Sequence, residues 1–375
     1  METARRRYLE PFVRKDLERK MVFLSGPRQV GKTTVAQALL GGAEERYFNW
    51  DFDPDRERIL HGDWPAGRGL IVLDEIHKHS RWRNLVKGLY DKRRREVQIL
   101  VTGSARLDLY RRGGDSLQGR YHFHQLHPLS VAELGLRTRK ELEPLLELSG
   151  FPEPYFSGSK TEKKRWTLEY RSRLLREDLR DLEHVTEIST LERLALRLPE
   201  LVGSPLSYNN LREDLGVAHA TVVRWVDILE RLYFLFRIYP FGAPRLRAVK
   251  KPPKHYHWDW SLVQDPGARL ENLVASHLLK WCHFERDTKG RDLELSYFRD
   301  IDGREVDFVV LEDRRPIQFV ECKTSARDMP RGLRYLKERF PKVESMQLTL
   351  ADGIDRVSKE DLQTRSLVTY LGGLA

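Results

Sequence analysis

Residues 26–34 read GPRQVGKTT, and the first third of the chain can be placed around them. The stretch fits G-x-x-x-x-G-K-[ST], with Gly26, Gly31, Lys32 and Thr33 at the fixed positions. Glycines there let backbone N–H groups close around a polyphosphate, the lysine reaches the outer phosphates, and the hydroxyl binds the accompanying magnesium. Pro27, Arg28, Gln29, Val30 and Thr34 supply the rest of the cradle. An apolar run at residues 21–24 precedes the loop and the helix-forming VAQALL follows it. The loop therefore joins a buried strand to a helix whose positive dipole end faces the phosphates. ATP with Mg2+ is the expected cofactor pair.

A loop of this kind hydrolyses nucleotide only with an acidic partner. Residues 69–76 (GLIVLDEI) run apolar into paired carboxylates, the pattern of a parallel strand buried on both faces. Asp74 would hold the magnesium through water, and Glu75 would polarise the water that attacks the γ-phosphate. Residues 97–104 (VQILVTGS) form another buried strand, whose Thr102 or Ser104 would stand beside Asp74 at the same sheet edge. A hydroxyl capping the next helix accounts for them as well. Arg120, in DSLQGR, and Arg106 are candidates for the arginine that stabilises charge on the transferring phosphoryl group, in cis or from a neighbouring subunit; either is equally readable as a surface arginine.

GPRQVGKTT, GLIVLDEI, ILVTGSA and the SLQGR turn before HPLSVAEL together resemble the AAA-type ATPases of prokaryotes that carry a C-terminal domain of unassigned function. The resemblance covers nearly the whole chain. It implies an AAA+-like ATPase core and a homo-oligomeric ring, and it supplies no substrate.

Composition sets wider bounds. The 375 residues exceed one ordinary core, and a hydrophobic content of 40% is enough for globular domains. The formal charge of +10 is compatible with a polyanionic partner such as DNA. Two cysteines, Cys282 and Cys322, imply no disulfide framework. The opening residues lack the apolar core of a signal peptide and no apolar run approaches membrane-spanning length, so a cytoplasmic protein without a membrane partner is expected.

After a Pro/Gly-punctuated stretch at 150–158, residues 206–236 read as a helix, a turn at Gly216, a second helix and an apolar strand-like run. This is helix-turn-helix spacing with a wing, in which His219, Thr221 and Arg224 would face a DNA groove. Packing or protein interaction is the competing reading, with Trp225 as core. The basic run at 245–254 reads as a phosphate-tracking connector or a solvated linker.

Beyond it the order is helix, three strands, helix, strand. Asp307 lies on the second of those strands, in EVDFVVL, and Glu321 and Lys323 on the third, in PIQFVECKT. Alternation puts Glu321 and Lys323 on one face, where Asp307 can meet them. Two carboxylates binding Mg2+ and a lysine orienting the nucleophile are what phosphodiester cleavage needs. The set resembles the PD-(D/E)xK restriction-endonuclease-like superfamily. On that resemblance Asp307 is the first carboxylate, Glu321 and Lys323 are the E-x-K pair, and Glu271 is the helical acid that many members add. Val306 replaces the usual proline. The pairs His122/His124 and His255/His257 share strand faces but lack further ligands, and read as core or surface residues.

The expected fold class is therefore α/β: a P-loop AAA+-like parallel-sheet domain (1–136), a helical and winged-helix middle (137–250), and a PD-(D/E)xK nuclease-like α/β domain (251–375). The expected function is ATP hydrolysis controlling a Mg2+-dependent nuclease-like domain that acts on DNA. The alternative is an ATP-switched DNA- or protein-binding module whose nuclease-like domain is a non-cleaving scaffold.

Overall fold

The computed structural model describes residues 6–104, 117–178, 187–242, 252–325 and 329–374. Arg106, the 245–251 part of the basic run, and the expected boundary at 250/251 lie outside them. The chain divides into two compact units, Met1–His127 and Pro128–Ala375.

The first unit is built on a five-stranded sheet in the order β2-β3-β4-β1-β5. Its strands are β1 (Met21–Ser25), β2 (Tyr47–Asn49), β3 (Gly69–Asp74), β4 (Val97–Thr102) and β5 (Tyr121–Gln125), and each pairing is parallel. Every residue of β1, and all of β3 after Gly69, is buried, which is why these strands read as unbroken apolar runs. Phe23, Ile71, Leu73, Ile99 and Val101 pack with Trp82 and Val86 of the helix Trp82–Arg93. β2 ends at Asn49, and Pro54 then sits in the first turn of the helix Asp53–His61, where its missing N–H costs nothing.

Parallel pairing has one decisive consequence. The carboxyl ends of β1, β3 and β4 lie on one edge, where Leu24 and Asp74 both register with Thr102. Ligands in open α/β sheets bind at that edge.

The second unit is organised by a mixed eight-stranded sheet in the order β12-β13-β11-β10-β9-β8-β6-β7. Its strands are β6 (Leu235–Pro240), β7 (Lys254–His257), β8 (Leu293–Arg299), β9 (Glu305–Glu312), β10 (Arg315–Lys323), β11 (Glu344–Thr349), β12 (Asp355–Val357) and β13 (Gln363–Ser366). The helix Pro266–Lys289 precedes β8 and the helix Arg331–Arg339 joins β10 to a parallel β11, so the helix, three strands, helix, strand order holds. Two features go beyond it. β12 and β13 extend one end, and β6, which follows the helix pair Tyr208–Leu215 and His219–Arg231, joins the same sheet by pairing parallel with β8. Gly216, at φ 69°, ends the first of those helices in the left-handed conformation that glycine accepts most readily.

Candidate nucleotide and carboxylate sites

At the carboxyl edge of the first sheet, the loop after β1 closes tightly on itself. Gly26 has φ 148°, and a Cβ there would collide with the carbonyl oxygen of Leu126, so only glycine fits. Gly31, at φ 102°, begins the helix Lys32–Leu40. Lys32 is buried, and its Nζ donates to the carbonyl oxygens of Gly26 (3.0 Å) and Pro27 (2.7 Å). The ammonium thus folds back over the loop.

Asp74 ends β3 among three hydroxyls. Thr33 donates to its Oδ2 at 3.3 Å, Tyr47 donates to the same oxygen, and Thr102 donates to Oδ1. Thr102, not Ser104, is therefore the hydroxyl that reaches this acid. A carboxylate and a threonine hydroxyl on the lip of a phosphate loop are the hard oxygen donors that Mg2+ takes, so Thr33 and Asp74 fit the ion of Mg-ATP.

Glu75 follows at φ 55°, a left-handed conformation that costs a residue with a Cβ, and its N–H donates to Thr102 O at 3.0 Å. Its Oε2 is buried, 3.4 Å from His77 Nε2 and 3.9 Å from Lys78 Nζ, without a hydrogen bond to either. Burial lifts its pKa to about 7, against the pull of Lys32 and with a push from Asp74. A carboxylate poised near neutrality beside the loop has the proton affinity that a general base needs.

Two residues of this site carry no motif. Arg7 is buried ahead of the helix Glu10–Leu17, and its guanidinium donates to Val30 O in the loop and to His127 O at 2.6 Å. Tyr47 is legible only once β2 is known to lie beside β3. Arg120 is not brought to the loop. It precedes β5, where its carbonyl accepts from Met21 N at the amino edge of the sheet, and its side chain binds Asp91 at 2.9 Å. Any contact between Arg120 and a phosphoryl group would have to come from another copy.

In the second unit, Glu271, Asp307, Cys322, Lys323 and Thr324 line a cleft of about 390 Å³ with Gly203. Asp307 on β9 and Glu321 on β10 are brought together, since Asp307 N donates to Glu321 Oε2 at 3.2 Å. Lys323 Nζ lies 2.7 Å from Glu321 Oε1, and Cys322 N donates to Asp307 Oδ2 at 2.8 Å. Tyr256 donates to Glu271 Oε1 at 2.7 Å. Burial raises the pKa of Glu271 and of Glu321 to about 7 and lifts Asp307 as well, Asp307 itself raising the other two.

The sequence did not single out Lys254. It opens β7 and is 1% exposed. Its Nζ lies 2.5 Å from Glu305 Oε1, 3.3 Å from Glu271 Oε1 and 4.0 Å from Asp307 Oδ1. Burial works against its charge, but the three carboxylates prevail and hold the ammonium above its ordinary value. As arranged, Glu271, Asp307 and Glu321 do not fit a magnesium ion. Each is committed to donors of the protein, and among the described residues no group of three or more His, Cys, Asp or Glu side chains is placed to hold a metal.

His219 and Arg224 lie exposed on the helix His219–Arg231, while Thr221 is half-buried and Trp225 is core. Asp227 and Glu230 of the same helix clamp Arg237, Asp227 at 2.7 Å. His255 and His257 are buried and bond to carbonyls, at Leu198 and Phe234.

Three stretches match known families. Residues 18–135 match the model of an AAA domain. The first unit carries an AAA-type ATPase domain. Residues 139–266 and 266–370 match two domains of unknown function, DUF8612 and DUF4143. An uncharacterized protein of Mycobacterium tuberculosis is 27% identical over 327 residues, covering 84% of this chain and 73% of its own. One of Methanocaldococcus jannaschii is 26% identical over 346 residues, covering 75% and 71%. An AAA-type domain implies ATP binding and hydrolysis. Among the described residues no helix is long and apolar enough to cross a membrane.

Proposed function

We propose that the chain is a Mg2+-dependent ATPase acting on DNA, in which nucleotide turnover in the first unit controls DNA engagement by the second. The observation that carries the ATPase half is Glu75, half-buried with its Oε2 shielded and its backbone strained beside Asp74, at the sheet edge that also presents Lys32 and Thr33. Lys32 would hold the outer phosphates and Thr33 with Asp74 the ion, which supplies charge for the transferring phosphoryl group. Glu75 would take the proton of the attacking water. ATPase assays of wild type, Lys32→Ala and Glu75→Gln test this half. Activity retained in Glu75→Gln would sink it.

DNA engagement rests on the formal charge of +10, the helix pair at Gly216, and the Asp307/Glu321/Lys323 set on neighbouring strands. Of the two ways to engage DNA, binding without cleavage is favoured by Lys254, whose buried ammonium is bound to Glu305 and to Glu271, a residue of the cleft wall. Filter binding of duplex DNA with and without ATP, with a parallel cleavage assay in Mg2+, separates the two. Absence of both binding and cleavage would remove DNA from the account. A homo-oligomer is part of the same reading, since only a neighbouring copy could bring Arg120 to a phosphate loop.

A further inference from the structure

We infer that Lys254 is the resident cation buried behind the second unit's cleft, holding the place that Glu271, Glu305 and Asp307 would otherwise offer to a divalent ion. The inference deepens the non-cleaving reading of that cleft and rests on it.

Position comes first. Lys254 is fixed from both sides of its strand, pairing with Ile238 of β6 and bridging to Pro205, while Leu206 N donates to the preceding residue's carbonyl at 2.7 Å. The side chain is as constrained as the backbone. Its Nζ lies 5.5 Å from the centre of the Tyr297 ring, and Tyr297 is anchored by its hydroxyl to Pro252 O at 2.9 Å. An ammonium walled in by an aromatic face and three carboxylates, at 1% exposure, is a buried structural charge and not a surface lysine passing by.

Saturation comes second. Glu305 receives Lys254, Glu271 receives Lys254 and Tyr256, and Asp307 receives the Cys322 N–H, while the neighbouring Glu321 receives Lys323 and the Asp307 N–H. Magnesium demands near-octahedral oxygen ligands and gives up water reluctantly. To enter, it would have to displace a buried ammonium from its carboxylate partners, or sit beside it as a like charge. Removing the ammonium while keeping the carboxylates leaves buried negative charge unpaired, and a divalent ion is the simplest species to answer it.

Nucleotide-free full-length protein carrying Asp74→Asn, which silences the first unit's ion site, would be titrated with Mn2+ by electron paramagnetic resonance. With Lys254 intact, adding Asp307→Asn should leave Mn2+ binding unchanged. With Lys254→Met in place, one new site should appear, at least about tenfold tighter than background, and Asp307→Asn or Glu271→Gln should remove it. Lys254→Arg, which keeps a cation, should gain none. The inference is overturned if the Lys254 protein already binds Mn2+ in a way that Asp307→Asn abolishes, or if folded Lys254→Met gains no site. Should Lys254→Met not fold, the Asp307→Asn comparison decides alone. Duplex binding by the same proteins tests the underlying reading separately: no DNA binding, with the metal result as expected, removes that reading and leaves Lys254 as the resident cation.

Discussion

Arg7 donates from its guanidinium to the carbonyl oxygen of Val30, so a residue ahead of the first helix braces the phosphate loop from behind. The same group reaches His127 O, the last residue of the first unit. Arg7→Ala would leave both buried carbonyls short of a donor, at about 1–3 kcal/mol each. ATP binding measured by calorimetry should weaken by about tenfold or more, with Arg7→Lys intermediate because it keeps the charge and part of the bonding. Unchanged affinity in a folded Arg7→Ala protein would show that the loop holds its shape unaided.

The pH dependence of ATP hydrolysis follows from Glu75. A general base must be ionised, and burial places its pKa at about 7, so it is protonated and idle at lower pH. kcat/KM, which reports the free enzyme, should fall about tenfold per pH unit below about 7 and level off above it. A profile flat from pH 5.5 to about 8 would assign the proton transfer elsewhere.

His277 supplies a stability test in the second unit. Val131 N donates to its Nε2 at 3.1 Å, so Nδ1 carries the hydrogen and donates to Leu273 O at 2.8 Å. Burial lowers its pKa from 6.5 to about 4. Between those values the unfolded chain binds the proton and the folded one does not, so the His277 contribution to stability falls as pH falls. Comparison with His277→Gln cancels every other group. The wild-type advantage in urea unfolding should shrink by up to about 1.4 kcal/mol per pH unit between pH 6.5 and 4. A constant difference would mean that the imidazole titrates normally.

Packing is tested at Gly332, in the helix Arg331–Arg339. A Cβ there would lie 2.8 Å from the carbonyl carbon of Glu305 and 3.0 Å from its nitrogen, backbone atoms that cannot swing aside. Gly332→Ala should lower stability by about 1–3 kcal/mol. Gly88→Ala, in the helix Trp82–Arg93, meets nothing within 4 Å and should raise it by up to about 1 kcal/mol.

What could be read from the sequence was whatever is contiguous in it. The phosphate loop, the acid pair closing β3 and the E-x-K pair on β10 are local patterns, and parallel strands buried on both faces announce themselves as apolar runs. Arg7, Tyr47 and Lys254 were hidden because their roles depend on partners 23, 27 and 17 residues away. β6 read as a wing because pairing with β8 across the basic run leaves no local mark. Arg120 reads from sequence as a candidate in cis, from a neighbouring subunit, or as a surface residue, and parallel pairing of β5 with β1, invisible locally, places it at the edge opposite its own loop.

The most direct test of the central claim is single-turnover hydrolysis of Mg-ATP by Glu75→Gln, with ATP binding measured on the same sample. Loss of the base should leave binding intact and slow hydrolysis by about 10²–10⁴-fold. Hydrolysis at the wild-type rate, with ATP bound, would contradict the account.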